Sequence, residues 1–503
     1  MTNTENTLNA EKTQNLVNLT IDGKPVSVPH GTSVIEAAKK IGSKIPHFCW
    51  HPGLSVAGVC RLCMVKIEGN PKLQIGCNTQ VTEGMKVETK HQEAKEAQKW
   101  ALEFHLVNHP LDCPTCDQAG ECKLQDYYMQ VGRYDSQVNE EKVLKPKALD
   151  VGTELILDTE RCILCSRCVR FEDQVSKTSS LGIFNRGDHS QIGLIPGRRI
   201  EHNYSYNLVD ICPVGAFTAR DFRFKCRVWF LEKTKTTCPG CSTGCSVSVF
   251  GNKMEREYYR LKPEVDHEVN GHWMCDYGRK MYKHCNASAR QSVPQKNGTP
   301  VDWNRITNEL VQELTKARNK KVALVLTPQY TNEEYALVLS SIKQILGTTP
   351  TVFIWRPETE NPTEFDGVLF RGDHNANTKG LERALSQANI QAEIIRGNIE
   401  PLKNANPDLT IVLGPEIEMA YGNIENTLQS LSKLSNVVYF GVTLSDTTKQ
   451  FSLTVPTKVF VEKNGTYLNY NSMPRKLIAN APVFSQIMGL DDMFAAALQR
   501  IEQ

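Results

Sequence analysis

No cysteine follows Cys285, although the chain runs on to Gln503; all 17 cysteines lie between Cys49 and Cys285. Long apolar runs are missing as well. None approaches the roughly 18 residues of a membrane span, so no direct membrane insertion is expected. An excess of one charge is also lacking: formal net charge is +2, which gives no pull toward nucleic acid or an anionic membrane. The opening residues, Met1-Thr-Asn-Thr-Glu-Asn-Thr7, have no basic stretch followed by an apolar core, so no secretory signal is expected. A G-x-G-x-x-G turn behind a strand is absent, as are internal repeats and low-complexity tracts. Together these absences point to the cytosol, where thiols stay reduced and clustered cysteines read as metal ligands rather than disulfides.

What is present is a row of four ligand sets. The first is Cys49, Cys60, Cys63 and Cys77, spaced C-x10-C-x2-C-x13-C. The second is His109, Cys113, Cys116 and Cys122, the third Cys162, Cys165, Cys168 and Cys212, and the fourth Cys238, Cys241, Cys245 and Cys275. Four soft ligands is the number an iron–sulfur cluster takes from protein, and a row of clusters on one chain serves to pass single electrons. In the first set the long gap with Gly53 and Gly58 lets a loop wrap a compact inorganic core. That fits a 2Fe–2S centre in a ferredoxin-like β-grasp domain, with a zinc site as the competing reading. The other sets suit 4Fe–4S centres, and a zinc ribbon competes for the fourth. His105, one helical turn before His109, reads as a decoy. Cys226 reads as a buried free thiol, and Cys285 has no ligand spacing.

The elements around these residues follow from local patterns. Leu16–Ile21 and Val26–Val28 alternate about Asp22-Gly23, a hairpin signal. Ser33-Val-Ile-Glu36 is a capping box opening a helix that Gly42 ends. Met64–Ile67 and Lys72–Ile75 read as strands. Gln92–Asn108 reads as a helix stopped by His109-Pro110, and Lys142–Lys147 as a linker. Beyond about residue 290, the strands Val322–Leu326, Val352–Trp355, Leu409–Leu413 and Val437–Phe440 alternate with helical patterns such as Asn332–Ile345, an α/β architecture with a parallel sheet.

The run His109-Pro-Leu-Asp-Cys113-Pro-Thr-Cys116-Asp-Gln-Ala-Gly-Glu-Cys122 resembles the histidine-plus-three-cysteine site of one family, the large iron–sulfur (G or 75 kDa) subunits of NADH:quinone oxidoreductase, respiratory complex I. Related iron hydrogenases carry the same site. The third set resembles a two-cluster bacterial ferredoxin that has kept one centre. On the template C-x2-C-x2-C-x3-C-P, Glu172 takes the fourth position of the first run, and His202, Ser205 and Leu208 take the first three of the second, while Cys212-Pro213 survives. Cys238–Cys275 resembles the cluster domain that opens molybdopterin oxidoreductases. There Tyr277 stands where catalytic members commonly have lysine, and Glu462-Lys-Asn-Gly465-Thr466-Tyr-Leu-Asn469 resembles their E-x-x-G-T-x-x-N segment. The likeness is strong over roughly 16–290 and weak beyond.

The resemblance implies a multidomain α+β and α/β chain. Its parts are a disordered N-terminus (1–15), a 2Fe–2S ferredoxin-like domain (16–95), a His/Cys3 4Fe–4S domain (96–135) and a ferredoxin-like domain with one 4Fe–4S cluster (136–230). A molybdopterin-oxidoreductase-type 4Fe–4S domain (231–287) and a truncated, degenerate molybdopterin-oxidoreductase-like α/β domain (288–503) follow. One 2Fe–2S and three 4Fe–4S clusters are implied, with no molybdopterin, FMN or NAD on this chain, no catalytic residue, and no turnover by the chain alone. Electrons would enter from the NADH/FMN-binding iron–sulfur subunit at Cys49, Cys60, Cys63 and Cys77. They would pass to the Cys162 set, then to the His109 set, then to quinone-side subunits. The chain would be cytoplasmic and peripheral to the inner membrane through that complex. The fourth cluster would lie off this path, as a staple joining the ferredoxin-like part to the α/β domain. The alternatives are the iron–sulfur subunit of a formate dehydrogenase or NAD-linked hydrogenase complex, and a zinc-stabilised scaffold.

Overall fold

The computed structural model describes residues 15–288, 290–480 and 486–502, in two compact units, Met1–Val228 and Trp229–Gln503. The disorder expected at the N-terminus falls, for residues 1–14, outside the described residues; Asn15 already accepts a backbone hydrogen bond from His30.

The first unit opens with the expected hairpin. Leu16–Ile21 buries Val17, Leu19 and Ile21 on one face and pairs antiparallel with Lys24–Pro29. The connecting Asp22 and Gly23 both take positive φ, the left-handed geometry that aspartate tolerates and glycine favours. Ser33 and Glu36 close a reciprocal capping box on the helix Val34–Lys40. Five strands form one sheet in the order Lys24–Pro29, Leu16–Ile21, Lys86–Glu88, Met64–Ile67, Gln74–Ile75. The last is shorter than the expected Lys72–Ile75 strand. Cys63 and Cys77 belong to the apolar core under this sheet, with Val34, Val65 and Val87.

The helix Gln92–Leu106 stops two residues earlier than expected, and Lys123–Val131 begins directly after Cys122. The stretch 142–147 is not a free linker: Lys142 Nζ donates to the carbonyls of Leu106 and Val107, Lys145 Nζ donates to that of Ser190, and Lys147 pairs with Glu160. In the ferredoxin-like part, the helix Arg167–Phe171 continues through a π-helical turn, Glu172–Ser176.

The second unit starts with an antiparallel sheet, Glu232–Thr237, Ser246–Asn252 and Glu257–Pro263. Its body is an eight-stranded sheet. Six strands run parallel, in the order Leu453–Pro456, Val437–Gly441, Leu409–Leu413, Val322–Leu326, Thr351–Trp355, Ala392–Ile395. Gln295–Lys296 and Thr299–Pro300 extend one edge antiparallel. Leu409–Leu413 and Val322–Leu326 are buried at every residue, as strands covered on both faces must be. The expected helix spans Asn332–Leu346, opened by a Thr331–Glu334 capping box and closed by Gly347 at positive φ. Among the described residues no helix is long and apolar enough to cross a membrane.

The segment Val461–Asn469 has structural partners here. Glu462 pairs with Arg290, both with fully buried side chains, and Lys463 pairs with Glu334 and Glu416. These three carboxylates face two cations, and burial pushes the Glu416 carboxyl up to about 8. Between the ordinary glutamate value near 4.5 and that of about 8, the folded protein holds a proton that the unfolded chain has released. Stability therefore falls as pH rises through this window, by about 1.4 kcal/mol per pH unit at most. In Glu416→Gln this loss should vanish, so the variant gains in melting temperature over the parent between pH 6 and pH 8. Parallel pH profiles of thermal unfolding would contradict this.

Candidate iron–sulfur sites

The four cysteines of the first set are all buried and touch one another. Each of the four thiols shifts the ionisation of another in the set. Gly58 and Arg61 take positive φ in the loop that brings Cys60 and Cys63 inward, and the Phe48 amide donates to Cys60 Sγ at 3.4 Å. His105 is placed otherwise than as a ligand: its Nε2 lies 3.2 Å from the Cys60 carbonyl oxygen, and its ring packs edge-on to Phe48.

In the second set, Cys113, Cys116 and Cys122 interact with one another, and His109, Cys113 and Cys122 line one cavity of about 570 Å³. His109 Nδ1 is buried without a hydrogen-bond partner. Burial holds the imidazole at about 4, so the ring is neutral at pH 7, the state in which it binds metal. A buried, unmade bond on a neutral imidazole beside three thiols fits an iron–sulfur group. Arg161 braces the loop through Asp112 at 2.6 Å, and Arg227 Nη1 donates to the Cys116 carbonyl at 2.7 Å.

The third set is deeply desolvated: burial pushes Cys162 up to about 12 and Cys165 to about 11, and raises Cys168 and Cys212 too. Free thiols in such a place stay protonated at neutral pH, and binding a metal group would make them thiolates by displacing their protons to solvent. Leu164 and Ser166 both take positive φ between the cysteines, and the Leu164 amide donates to Cys162 Sγ at 3.3 Å. Glu172 and His202, two of the four substituted ferredoxin positions, meet each other: His202 Nε2 lies 2.8 Å from Glu172 Oε1, and Thr178 Oγ1 donates to Glu172 Oε2 at 2.6 Å. The chain from Cys212 to Gly215 also borders the second set. Pro213 accepts from the Lys123 amide, and a Cβ on Gly215 would stand 2.3 Å from Cys116 Sγ, so a larger residue there would displace that thiol.

The fourth set lies wholly in the second unit. Burial raises all four thiols, Cys238 to about 12. The loop between Cys241 and Cys245 is tied to the α/β body: the Ser242 amide donates to the Asp373 carbonyl, Thr243 Oγ1 to that of Leu369, and Arg475 Nε to that of Gly244. Asn469, the last residue of the E-x-x-G-T-x-x-N segment, donates to the Thr243 carbonyl. The staple expected between the ferredoxin-like part and the α/β domain is thus internal to the second unit. A Cβ on Gly278 would come 2.8 Å from Cys238 Sγ. Cys226 is half-buried rather than buried, and Cys285 is buried. Among the described residues no three His, Cys, Asp or Glu side chains are gathered as a site for one metal ion.

Sequence reasoning passed over Arg161, Arg167, Arg170 and the close-approach glycines Gly215 and Gly278. The visible signal for two of them was arginine on either side of Cys168, in Ser166-Arg-Cys-Val-Arg170.

Four family profiles match in succession: a 2Fe-2S iron-sulfur cluster binding domain over 14–92, the NADH-ubiquinone oxidoreductase-G iron-sulfur binding region over 98–137, the ferredoxin-like domain of NADH-quinone oxidoreductase subunit 3 over 152–218, and the molybdopterin oxidoreductase Fe4S4 domain over 231–287. The chain therefore carries 2Fe–2S and 4Fe–4S iron–sulfur domains. Among curated relatives, the G subunit of NADH-quinone oxidoreductase from Mycobacterium bovis is 36% identical over 371 residues, covering 72% of this chain and 46% of the relative. The Streptomyces coelicolor protein of the same name is 38% identical over 61% of this chain and 37% of its own, and that of Rickettsia typhi 30% identical over 84% and 61%. A solved NAD+-reducing [NiFe]-hydrogenase chain, 27% identical, covers 42% of this chain and 91% of its own at a TM-score of 0.37, too low to carry an argument. The chain spans about half the length of the curated relatives it matches. By these domains in this order, and by relatives 30–38% identical, the matched part of the chain is homologous to NADH-quinone oxidoreductase G subunits.

Proposed function

We propose that this chain relays electrons within the peripheral arm of an NADH:quinone oxidoreductase, from an NADH- and FMN-binding subunit toward quinone. Cys49, Cys60, Cys63 and Cys77 hold a 2Fe–2S cluster. His109 with Cys113, Cys116 and Cys122, the Cys162/165/168/212 set and the Cys238/241/245/275 set each hold a 4Fe–4S cluster. The modules keep the boundaries drawn from sequence, and the complex sits at the inner face of the membrane through its other subunits. The chain binds no molybdopterin, FMN or NAD, and no residue performs acid–base or nucleophilic chemistry.

The observation that carries this reading is the grouping of the cysteines: 15 of the 17 fall into four sets, and the one set short of a fourth thiol has His109 Nδ1 buried beside it with an open valence. The relay order is supported by direct contacts. Arg167 and Arg170 link the third set to the first, while Arg161–Asp112 and the Cys212–Gly215 stretch link it to the second. Iron and sulfide analysis of the anaerobically purified chain, with low-temperature EPR of the reduced protein, tests the proposal. About fourteen irons per chain are expected, two in the first set and four in each of the others. A colourless protein containing only zinc would refute it.

A further inference from the structure

One face of the helix that carries Cys168 clasps the loop that follows Cys49. Arg167 Nη2 donates to the Trp50 carbonyl at 2.6 Å, and its Nη1 to the carbonyl of Ile211, next to Cys212, at 2.9 Å. Arg170 Nη2 donates to the carbonyl of Cys49 and, at 3.4 Å, to that of Cys165; its Nη1 donates to Ser55 O. Gln174 completes the clasp, accepting from the Ser55 amide at 2.9 Å and donating to Ser55 Oγ at 2.6 Å. The spacing 167, 170, 174 puts all three on one helical stripe.

These arginines are unusual in what they do not meet. Among the described residues neither pairs with a carboxylate; every partner of Arg167 and Arg170 is a carbonyl or hydroxyl oxygen. Arg167 is buried and Arg170 half-buried, and a guanidinium withdrawn from water without a counter-ion is costly unless an anion stands nearby. The nearby candidates are the two ligand sets themselves, since Arg170 reaches the backbone of Cys49 in one and of Cys165 in the other.

We infer that Arg170 is a positioning residue shared by two redox sites, fixing their separation and raising both of their reduction potentials together. The inference rests on the electron-relay reading above. In the step concerned, one electron leaves the Cys49/60/63/77 site and arrives at the Cys162/165/168/212 site, with no bond made or broken and no proton required. An added electron makes either site more negative, so a cation touching a ligand residue of each favours the reduced form of both. Because the same charge serves both, the difference between the two potentials, which sets the direction of flow, depends on it little.

The test uses the full chain carrying its clusters. EPR-monitored redox titration of Arg170→Gln should show both midpoints moving to lower potential by similar amounts. A tenfold loss in the relative stability of a reduced form reads as about 59 mV for one electron. Arg170→Lys keeps the charge but loses the planar fork that reaches two carbonyls at once. Its midpoints should stay near the parent's, while magnetic relaxation of the 2Fe–2S signal by its 4Fe–4S neighbour weakens. The inference is overturned if Arg170→Gln moves neither midpoint or only one, or if Arg170→Lys shifts both as far as Arg170→Gln does. Should Arg170→Gln fail to assemble its clusters, unchanged relaxation in Arg170→Lys overturns it equally. If the parent itself lacks separate 2Fe–2S and 4Fe–4S signals, the relay reading falls instead.

Discussion

Replacing Cys212 by alanine should remove one 4Fe–4S EPR signal and, with it, electron flow from NADH to quinone in the assembled complex. Cys212 enters the third set from the end of the short helix Asn207–Ile211, some 44 residues after Cys168, and burial raises its thiol as it does those of Cys162, Cys165 and Cys168. Nothing else in that set can take its place. His202 is held by Glu172, whose side chain is fully buried. Alanine at 202 should therefore leave the cluster signal intact and show its effect on stability. Glu172 keeps the Thr178 hydrogen bond but loses the one to His202, leaving a buried carboxylate oxygen unpaired, a loss of about 1–3 kcal/mol. Parallel EPR spectra and thermal melts of the two variants check this. Equal loss of the signal in both would show that His202, not only Cys212, is a ligand.

The Glu172–His202 contact also shows what the sequence could and could not reveal. Register against a two-cluster ferredoxin marked both positions as substituted ligands, because cysteine spacing is a local property. That a carboxylate and an imidazole 30 residues apart would pair depends on the turn made by the π-helical stretch Glu172–Ser176 and the return of the chain near His202, which no short-range pattern encodes. The same division runs through the rest. The Asp22-Gly23 hairpin, the Ser33 and Thr331 capping boxes and the parallel strands were legible because each rests on a few neighbouring residues. The end of the Gln92 helix and the short Gln74–Ile75 strand were less so, since tertiary contacts decide where fraying ends stop. Arg170 was invisible as a shared residue: its partners Cys49 and Cys165 lie 121 and 5 residues away. The tight fit at Gly215 appears only once Cys116 Sγ is seen against it.

Cys241→Ala should cost the protein its stability rather than its turnover. The loop that carries Cys241 and Cys245 is bonded to two separate parts of the α/β body, the stretch Leu369–Asp373 and the Asn469–Arg475 hairpin. A metal group closing the set Cys238, Cys241, Cys245 and Cys275 would thus fasten that body to the antiparallel sheet before it, and metal–ligand free energy of this kind adds directly to folding free energy. The flank of the site beside Cys275 is packed with side chains. Tyr277, two residues after Cys275, packs its ring 5.2 Å from Phe370 and 5.3 Å from His374, and the Gly240 turn closes on the same ring. Side chains thus fill the space on that flank. The melting temperature should fall on the order of 10 °C, as expected if several kcal/mol are lost from a unit of this size. Whatever complex still assembles should turn over NADH, per flavin, at close to the parent rate. Both quantities are to be measured on one preparation, because a fall in yield alone would mimic a fall in activity. Undiminished stability together with lost turnover would put the Cys238/241/245/275 site in the electron path and remove its role as a staple.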